Sequence, residues 1–211
     1  GDGDDYILGR SGNDTIAAGT GDDSVKGGSG NDSILGGDGD DRLAGESHND
    51  TIEGGNGRDT IEGGAGNDLL VGGLGSDSLA GGSDNDLLLG GEGKDYLSGY
   101  LGNDTLVGGD GADVLFGGDG ADTFLFLSTL DSTSSERDRI RDFQVGIDKI
   151  DVALLGYDGI KGIGPVGSHE LRVTFSAATN RTYVIDDASG FQFFLDGDIR
   201  PELTEASFVF A

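Results

Sequence analysis

The chain of 211 residues contains no cysteine, only two histidines, and 13 basic residues against 40 acidic ones. Without cysteine, neither a disulfide bond nor a thiolate metal site is possible. The net charge of −27 argues against nucleic acid and anionic membrane surfaces as partners, because both attract lysine and arginine. No apolar run is long enough to span a bilayer, so membrane insertion is not expected. The acidic excess instead suits divalent cations.

The acidic residues are not scattered, because fourteen aspartates stand nine residues apart. A six-residue loop rich in glycine ends at each aspartate, as in Gly27–Asp32, and an aliphatic or Phe side chain follows two residues later. The aspartates, at the sixth position of each repeat, are Asp5, Asp14, Asp23, Asp32, Asp41, Asp50, Asp59, Asp68, Asp77, Asp86, Asp95, Asp104, Asp113 and Asp122. Composition alone would favour a solvated, disordered tract. The strict apolar eighth position argues against disorder once metal is bound.

The two parts of the chain differ in composition. Residues 1–125 hold 35 of the 43 glycines and a net charge of −21, whereas residues 126–211 hold most of the aromatic residues and a net charge of −6. We therefore predict a repeat domain over 1–125 and a C-terminal β cap over 126–211. Because Gly1 falls inside a repeat, we expect the chain to be a fragment of a longer protein.

Within each repeat, the three residues after the loop predict a short strand whose eighth position faces inward. Burying that position from two parallel sheets takes two repeats, so each coil holds 18 residues. Even-numbered repeats from the second to the twelfth carry Asn before the aspartate, and odd-numbered repeats never do. This alternation supports an all-β, two-sheet parallel roll in which odd and even loops form different edges. After residue 125, period-two patterning predicts ordinary strands, with a hairpin loop over Ser176–Asn180.

The loops have the chemistry of calcium sites, since Ca²⁺ takes six to eight oxygens from carboxylates and backbone carbonyls. Two loops on one edge can sandwich an ion, and six gaps on each of two edges would give up to twelve sites. Turn-capping aspartates are the alternative, but caps do not require a fixed spacing. The predicted carbonyl ligands belong to glycines at the second and fourth loop positions: Gly28, Gly30, Gly37, Gly39, Gly55, Gly57, Gly64, Gly66, Gly73, Gly75, Gly91, Gly93, Gly109 and Gly111.

Five residues replace expected glycines, and all lie in even repeats: Arg10, Glu46, His48, Asp84 and Tyr100. We therefore expect a full row of calcium ions on the odd edge and weaker binding on the even edge. A zinc or catalytic role for His48 is disfavoured, because the chain has only one other histidine.

Together these repeats resemble the RTX calcium-binding nonapeptide repeats. The motifs Asp138–Phe143 and Gly146–Asp151 resemble the C-terminal domain of serralysin-type secreted metalloproteases. The later stretch, through Phe191–Gly197, is at least as similar to the R-modules of mannuronan C5-epimerases. The resemblance implies a right-handed calcium-binding β-roll on an extracellular bacterial protein exported by a type I transporter. It also implies an uncleaved secretion signal, which the ending Glu202–Ala211 resembles.

Three functions follow from these observations. The first is a non-catalytic module that folds on extracellular calcium and supports export and folding of an upstream domain. The second is a module that binds alginate or another acidic polysaccharide, or an adhesin segment; Lys26, Arg42, Arg58 and Lys94, all from odd repeats, are its candidate ligand contacts. The third, an enzyme, is disfavoured, because the chain has no H-E-x-x-H, cysteine nucleophile or G-x-S-x-G motif.

Overall fold

The structure, a computed structural model, describes residues 1–133, 135–155, 159–161, 170–176, 178–186, 189, 191–197, 203 and 207–209. Within these residues the protein is built of strands, with one 3-10 turn over Ala153–Leu155. The strands are β1 Tyr6–Ser11, β2 Thr15–Thr20, β3 Ser24–Ser29, β4 Ser33–Asp38, β5 Arg42–Ser47, β6 Thr51–Asn56, β7 Thr60–Ala65, β8 Leu69–Gly75, β9 Ser78–Ser83, β10 Leu87–Gly93, β11 Tyr96–Leu101, β12 Thr105–Gly111, β13 Val114–Asp119, β14 Thr123–Leu125, β15 Arg139–Ile140, β16 Lys149–Asp151, β17 Gly159–Lys161, β18 Glu170–Ser176, β19 Arg181–Ile185, β20 Gln192–Asp196 and β21 Phe208–Val209.

Odd and even strands of the repeat region form two separate parallel sheets. One sheet runs β1-β3-β5-β7-β9-β11-β13, and the other runs β2-β4-β6-β8-β10-β12-β14. Each residue pairs with the residue 18 positions later, as Ile7 with Val25 and Ile16 with Ile34. The predicted two-sheet parallel β-roll with 18 residues per coil is therefore confirmed.

The core between the sheets consists of two facing rows of eighth-position side chains, one row from each sheet. From Val25 to Phe124 these side chains are at most 2% exposed. Their neighbours at the seventh and ninth positions face outward, which is why Leu87 is 37% exposed while Leu88 is fully buried. One apolar side chain per nine residues is a thin core, so the loops have to contribute to stability.

The asparagine alternation has a structural role on the even edge. The side-chain oxygen of each Asn accepts a hydrogen bond from the backbone N–H one coil later, as Asn13 does from Asn31 and Asn85 does from Asn103. On the odd edge aspartates fill the same position in the first three odd repeats, so Asp22 accepts from Asp40 and Asp40 accepts from Arg58. The fifth position thus joins adjacent coils along the even edge and in the first coils of the odd edge.

Both sheets continue beyond residue 125. Strand β15 pairs with β13 and places Ile140 beside Leu115, while β16 pairs with β14 and places Ile150 beside Phe124. These two strands form an eighth coil without the nine-residue spacing. Residue 125 therefore ends the regular spacing and not the sheets, and the two-domain division stays a prediction.

The remaining described strands close the end of the roll. Strand β20 adds to β15 in parallel, and β19 and β18 follow it in antiparallel order, with the predicted hairpin between them. Three Phe rings, Phe126, Phe191 and Phe193, pack together beneath these strands, with centroids 4.8–5.8 Å apart. Strand β17 was not expected from the sequence. Of the stretch resembling a secretion signal, only Leu203 and Ser207–Val209 lie within the described residues.

Candidate metal centre

One oxygen of each repeat aspartate from Asp23 to Asp122 accepts a backbone hydrogen bond. The Oδ1 atom accepts a hydrogen bond from the N–H of the aspartate one coil earlier, as Asp41 does from Asp23. From the Asp5–Asp23 pair to the Asp104–Asp122 pair, these distances are 2.7–3.0 Å. This bond orients these twelve carboxylates along the roll axis in the same way.

The other oxygen is buried and has no protein partner. The Oδ2 atom is orphaned in every repeat aspartate except Asp5, and the same holds for Asp138. An unpaired buried carboxylate oxygen costs several kcal/mol, so native proteins supply it with a donor, a proton or a cation. The same Oδ2 atom lacks a hydrogen-bond partner in thirteen repeats. This regularity indicates that the loops bind a ligand at these atoms.

Carbonyl oxygens approach these orphaned atoms from adjacent coils. A Cβ built on Gly36 would lie 2.2 Å from Oδ2 of Asp41 and 2.6 Å from the carbonyl oxygen of Gly54. A Cβ on Gly57 would lie 2.0 Å from the carbonyl oxygen of Gly39, and the φ of Gly57 is 135°. Any side chain at these two positions would therefore fill the space that the oxygens occupy.

The donor set in each gap consists only of oxygens. Hard cations take such sets, and Ca²⁺ accepts mixed carboxylate and carbonyl ligands in flexible geometry. Among the described residues no three His, Cys, Asp or Glu side chains converge on one point. A cation in a gap would therefore have to draw on two aspartates and on backbone carbonyls, and this ligand assignment stays a prediction. A bound calcium ion would neutralise the carboxylates and tie neighbouring coils together.

Burial raises the pKa of each repeat aspartate from Asp41 to Asp122, so these carboxylates are harder to ionise without a cation. It raises the pKa of Asp59 and Asp68 to about 6 and that of Asp86 to about 7, and the next aspartates in the row add to the effect. Each backbone hydrogen bond to the aspartate lowers the pKa by less than burial raises it. A positive charge that binds within the row would therefore stabilise the ionised aspartates.

The even edge keeps this arrangement despite its substitutions. Arg10, Glu46, His48, Asp84 and Tyr100 have φ values of 75–81°, whereas glycines at matching positions, such as Gly37 and Gly39, reach 126° and 135°. The carbonyl of Glu46 still faces Gly64 of the next coil, just as the carbonyl of Gly37 faces Gly55. Ala18, at the first position of the third repeat, shows that the odd edge also has a departure. Weaker calcium binding on the even edge stays a prediction.

Two aspartates outside the repeats complete the rows. Asp138 accepts from the N–H of Asp113 at 3.0 Å, and Asp148 accepts from the N–H of Asp122 at 3.1 Å. The nine-residue spacing does not identify them. The pattern of an aspartate two residues before an isoleucine, which Asp138–Ile140 and Asp148–Ile150 share with the repeats, is the signal that could have done so.

The predicted polysaccharide contacts lie on two surfaces. Lys26 and Arg42 line one groove on the outward face of the odd sheet, and Lys26 Nζ lies 2.9 Å from Glu46 Oε1. Arg58 and Lys94 lie in odd loops, where Arg58 lines a separate groove. The structure thus brings Lys26 and Arg42 together and does not join them to the other two.

A more concentrated basic cluster lies near the C-terminal end of the odd sheet. Arg139, Arg141 and Arg181 surround Asp196, with nitrogen–oxygen distances of 2.7, 3.3 and 3.6 Å. The guanidinium carbon of Arg181 lies 4.1 Å from the ring centroid of Phe194, and that of Arg141 lies 5.3 Å from Phe116. Sequence reasoning missed this cluster, because its members come from strands far apart in the chain.

Comparison with known proteins agrees with the loop chemistry. The model of the RTX calcium-binding nonapeptide repeat matches residues 1–34, 17–52, 44–79, 71–106 and 98–126. The chain is 45% identical over 82 residues to mannuronan C5-epimerase AlgE5 and 40% identical over 98 residues to alginate lyase 7, both from Azotobacter vinelandii. These matches cover 36% and 41% of this chain but only 8% and 11% of those proteins.

The fold also matches a solved structure. The solution structure of the AlgE6R3 subunit from the Azotobacter vinelandii mannuronan C5-epimerase aligns with a TM-score of 0.55 at 41% identity. The alignment covers 67% of this chain and 81% of that one. No helix in the described part of this chain is long and apolar enough to cross a membrane. The repeats, the loops and these matches show that the chain belongs to the RTX calcium-binding nonapeptide repeat family, as a β-roll module similar to epimerase R-modules.

Proposed function

We propose that this chain is a non-catalytic module that folds when it binds extracellular calcium. The observation that carries the proposal is the row of buried Oδ2 atoms without protein partners. Calcium would be held by the fourteen repeat aspartates and by loop carbonyls, at up to about twelve gaps. Twelve ions would bring a charge of +24 to a region whose own charge is −21.

Calcium binding and folding are coupled in this proposal. Without a cation, the folded roll has to bury a column of like charges, and the thin core offers little to offset that cost. Because the gaps exist only in the folded roll, the binding free energy of the ions becomes folding free energy. Extracellular modules of this kind bind calcium with dissociation constants of about 10⁻⁴–10⁻³ M, so the cytoplasm would leave the chain unfolded.

Such a switch suits a protein that leaves a bacterial cell unfolded. We propose that residues 1–125 form the calcium-binding roll, and that residues 126–211 cap it and carry a type I secretion signal. Folding outside the cell would then support the folding of an upstream domain. Export of a reporter protein fused upstream of this chain, through a type I transporter, tests the secretion role; a reporter that stays inside the cell contradicts it.

Far-UV circular dichroism during a calcium titration, after chelator treatment, tests the coupling. We expect a transition from coil to β structure with calcium and not with magnesium, which prefers rigid octahedral sites. A full β spectrum in chelator would overturn the proposal, because the core and the C-terminal segment would then be sufficient for folding.

Binding of an acidic polysaccharide is a second candidate, favoured by the arginine cluster around Asp196. Arg139, Arg141 and Arg181 give this corner of an acidic protein a local positive charge. Exposed rings lie close by: Tyr96, 45% exposed, packs against Phe116, which Arg141 covers. Cationic and aromatic groups together suit a polyuronate, and the related enzymes include an alginate lyase and mannuronan epimerases.

Retention on alginate in calcium, measured by affinity electrophoresis, tests this second candidate. We expect Arg141→Gln to weaken retention, and replacement of Lys26 and Arg42 by Gln to weaken it if the ligand extends along the odd sheet. Arg10→Gln, in an even loop, removes the same charge outside both basic surfaces and is the matched control. Unchanged retention in every variant would exclude both basic surfaces as the ligand site.

A further inference from the structure

Asp138 occupies the position of a repeat aspartate without belonging to a repeat. It follows Asp113 by 25 residues instead of 18, yet its Oδ1 accepts the N–H of Asp113 at 3.0 Å, as repeat aspartates do. Its side chain is fully buried, and its Oδ2 receives no N–H or hydroxyl donor, so the facing carboxyl of Asp113 could meet it only by sharing a proton or a cation. The seven additional residues are accommodated before strand β15, so that the carboxylate reaches the same place on the odd edge.

At the C-terminal end of the even edge, the corresponding aspartate is fully hydrogen-bonded. Asp148, the counterpart of Asp138, has both oxygens bonded, since Oδ1 accepts from Asp122 and Oδ2 accepts from the N–H of Gln144 at 2.7 Å. The side chain of Gln144 also donates to the carbonyl of Gly118 at 2.6 Å. At the even end only Asp122 keeps an Oδ2 atom without a protein donor, whereas at the odd end both Asp113 and Asp138 do.

We propose that Asp113 and Asp138, with carbonyls of the loop Gly108–Asp113, hold a terminal calcium ion that fastens the C-terminal segment to the last odd repeat. The inference rests on the proposed calcium binding of the repeat gaps and adds one site beyond them. Two carboxylates with an orphaned Oδ2 on each are the same donors that every inner gap on this edge offers.

The nearby Asp131 is not a ligand in this proposal. Its Oδ2 accepts the N–H groups of Leu127 and Ser128 at 2.7 and 3.0 Å, so it stabilises the turn that leads out of the roll. Burial is the main cause that raises the pKa of both Asp113 and Asp138, and the negative charge of Asp131 beside the gap raises them further. That charge makes a cation in the gap more favourable.

The backbone around Asp138 shows what the ion would fasten. The N–H of Asp138 donates to Ser132 Oγ at 2.8 Å, and its carbonyl accepts from Phe194 in strand β20 at 3.1 Å. The hydroxyl of Ser132 donates to the carbonyl of Gln192 at 2.6 Å. An ion between Asp113 and Asp138 would thus connect the repeat loops to the strand around which the C-terminal meander is built.

Counting bound calcium by native mass spectrometry tests the site. Asp138→Asn keeps an oxygen for the N–H of Asp113 but removes the charge, so we expect one calcium ion fewer than in the unmutated chain. Asp131→Asn is the matched control, because it removes the same charge nearby while its oxygen can still accept both N–H groups. We expect no lost ion in that control. An equal count for Asp138→Asn and the unmutated chain, or a loss in both variants, overturns the assignment.

A crystal structure of the unmutated chain grown in calcium covers the case in which the Asn variant fails to fold. Anomalous density between the carboxylates of Asp113 and Asp138 is the expected result. Density in the repeat gaps with none at this position overturns the inference alone. Empty repeat gaps would instead contradict the calcium proposal on which it rests.

Discussion

Consecutive side chains in a strand of this roll differ in exposure, because they face opposite sides of the sheet. Leu87 and Leu88 are consecutive in β10, but Leu87 is 37% exposed and Leu88 is fully buried. Leu88 pairs along the sheet with Leu70 and Leu106, which are buried as well. With one inward side chain per repeat, no second layer can repack around a gap in this row.

Alanine substitutions of Leu87 and Leu88 should differ in their effect on the free energy of unfolding. Leu88→Ala should lower the free energy of unfolding in saturating calcium by about 2–5 kcal/mol, because it leaves a cavity in the core. Leu87→Ala should lower it by less than about 1 kcal/mol, because its outward-facing side chain is 37% exposed and its loss leaves no cavity in the core. Urea unfolding followed by circular dichroism measures both. Equal losses in the two variants would contradict the inward and outward assignment of the strand.

At the same scale, sequence reasoning identified the repeat aspartates but not what each oxygen does. The spacing shows that Asp41 follows Asp23 by one coil, yet only the folded geometry shows that Oδ1 serves the backbone and Oδ2 is left over. Asp138 was missed because seven additional residues break the spacing after Asp113. A search for spacing alone ends where the chain leaves the repeat.

Among the elements, the loops differ more between the two edges than the strands do. All odd loops have glycine at the second and fourth positions, whereas four even loops carry a larger residue at one of them or at both. These residues adopt left-handed φ values near 77°, which cost a non-glycine residue about 1–3 kcal/mol. The even loops therefore store strain that the odd loops avoid.

Substitutions at the fourth loop position should have opposite effects on the two edges. His48→Gly should lower the calcium concentration at the folding midpoint, with a gain of about 1 kcal/mol from the relieved strain. Gly57→Ala, at the same position of the next odd loop, should raise that midpoint, because its Cβ would lie 2.0 Å from the carbonyl oxygen of Gly39. Calcium titration by circular dichroism measures both shifts. A higher midpoint for His48→Gly would show that the imidazole stabilises its loop.

The C-terminal elements show where prediction from sequence reaches its limit. Period-two patterning located most of the strands after residue 125, but it could not show that β15 and β16 continue the two sheets in parallel. That arrangement depends on Ile140 and Ile150 extending the core rows, which is a long-range contact. Strand β17 is short and was not identified by its pattern.

For the molecule as a whole, the dominant feature is the rows of negatively charged repeat aspartates along the roll. The net charge of −27 lies mostly in the repeat region, and the repeat carboxylates point into the roll and not into water. Calcium is one way to neutralise such a column, and protons are another. The molecule should therefore respond to pH in opposite ways with and without calcium.

The third prediction follows from the raised pKa values. Burial raises the pKa of Asp59, Asp68, Asp95 and Asp122 to about 6 and that of Asp86 and Asp113 to about 7, above the unfolded value of 3.8. The folded chain then binds more protons than the unfolded chain between about pH 4 and pH 7. This proton-linked stability is fully present below the unfolded pKa and is lost as pH rises through 6 to 7.

In chelator, acidification from pH 8 to about pH 5 should therefore increase β structure. In calcium the same acidification should raise the calcium concentration at the folding midpoint, because protons compete with the ion for the same oxygens. Circular dichroism measures both effects, and sedimentation velocity at each pH is the control for association near the pI of about 4.1. A calcium midpoint that stays constant between pH 7.5 and pH 5.5 would mean that the buried aspartates are not the calcium ligands. Calcium would then drive folding through other groups, and the acidic column would have no part in binding it.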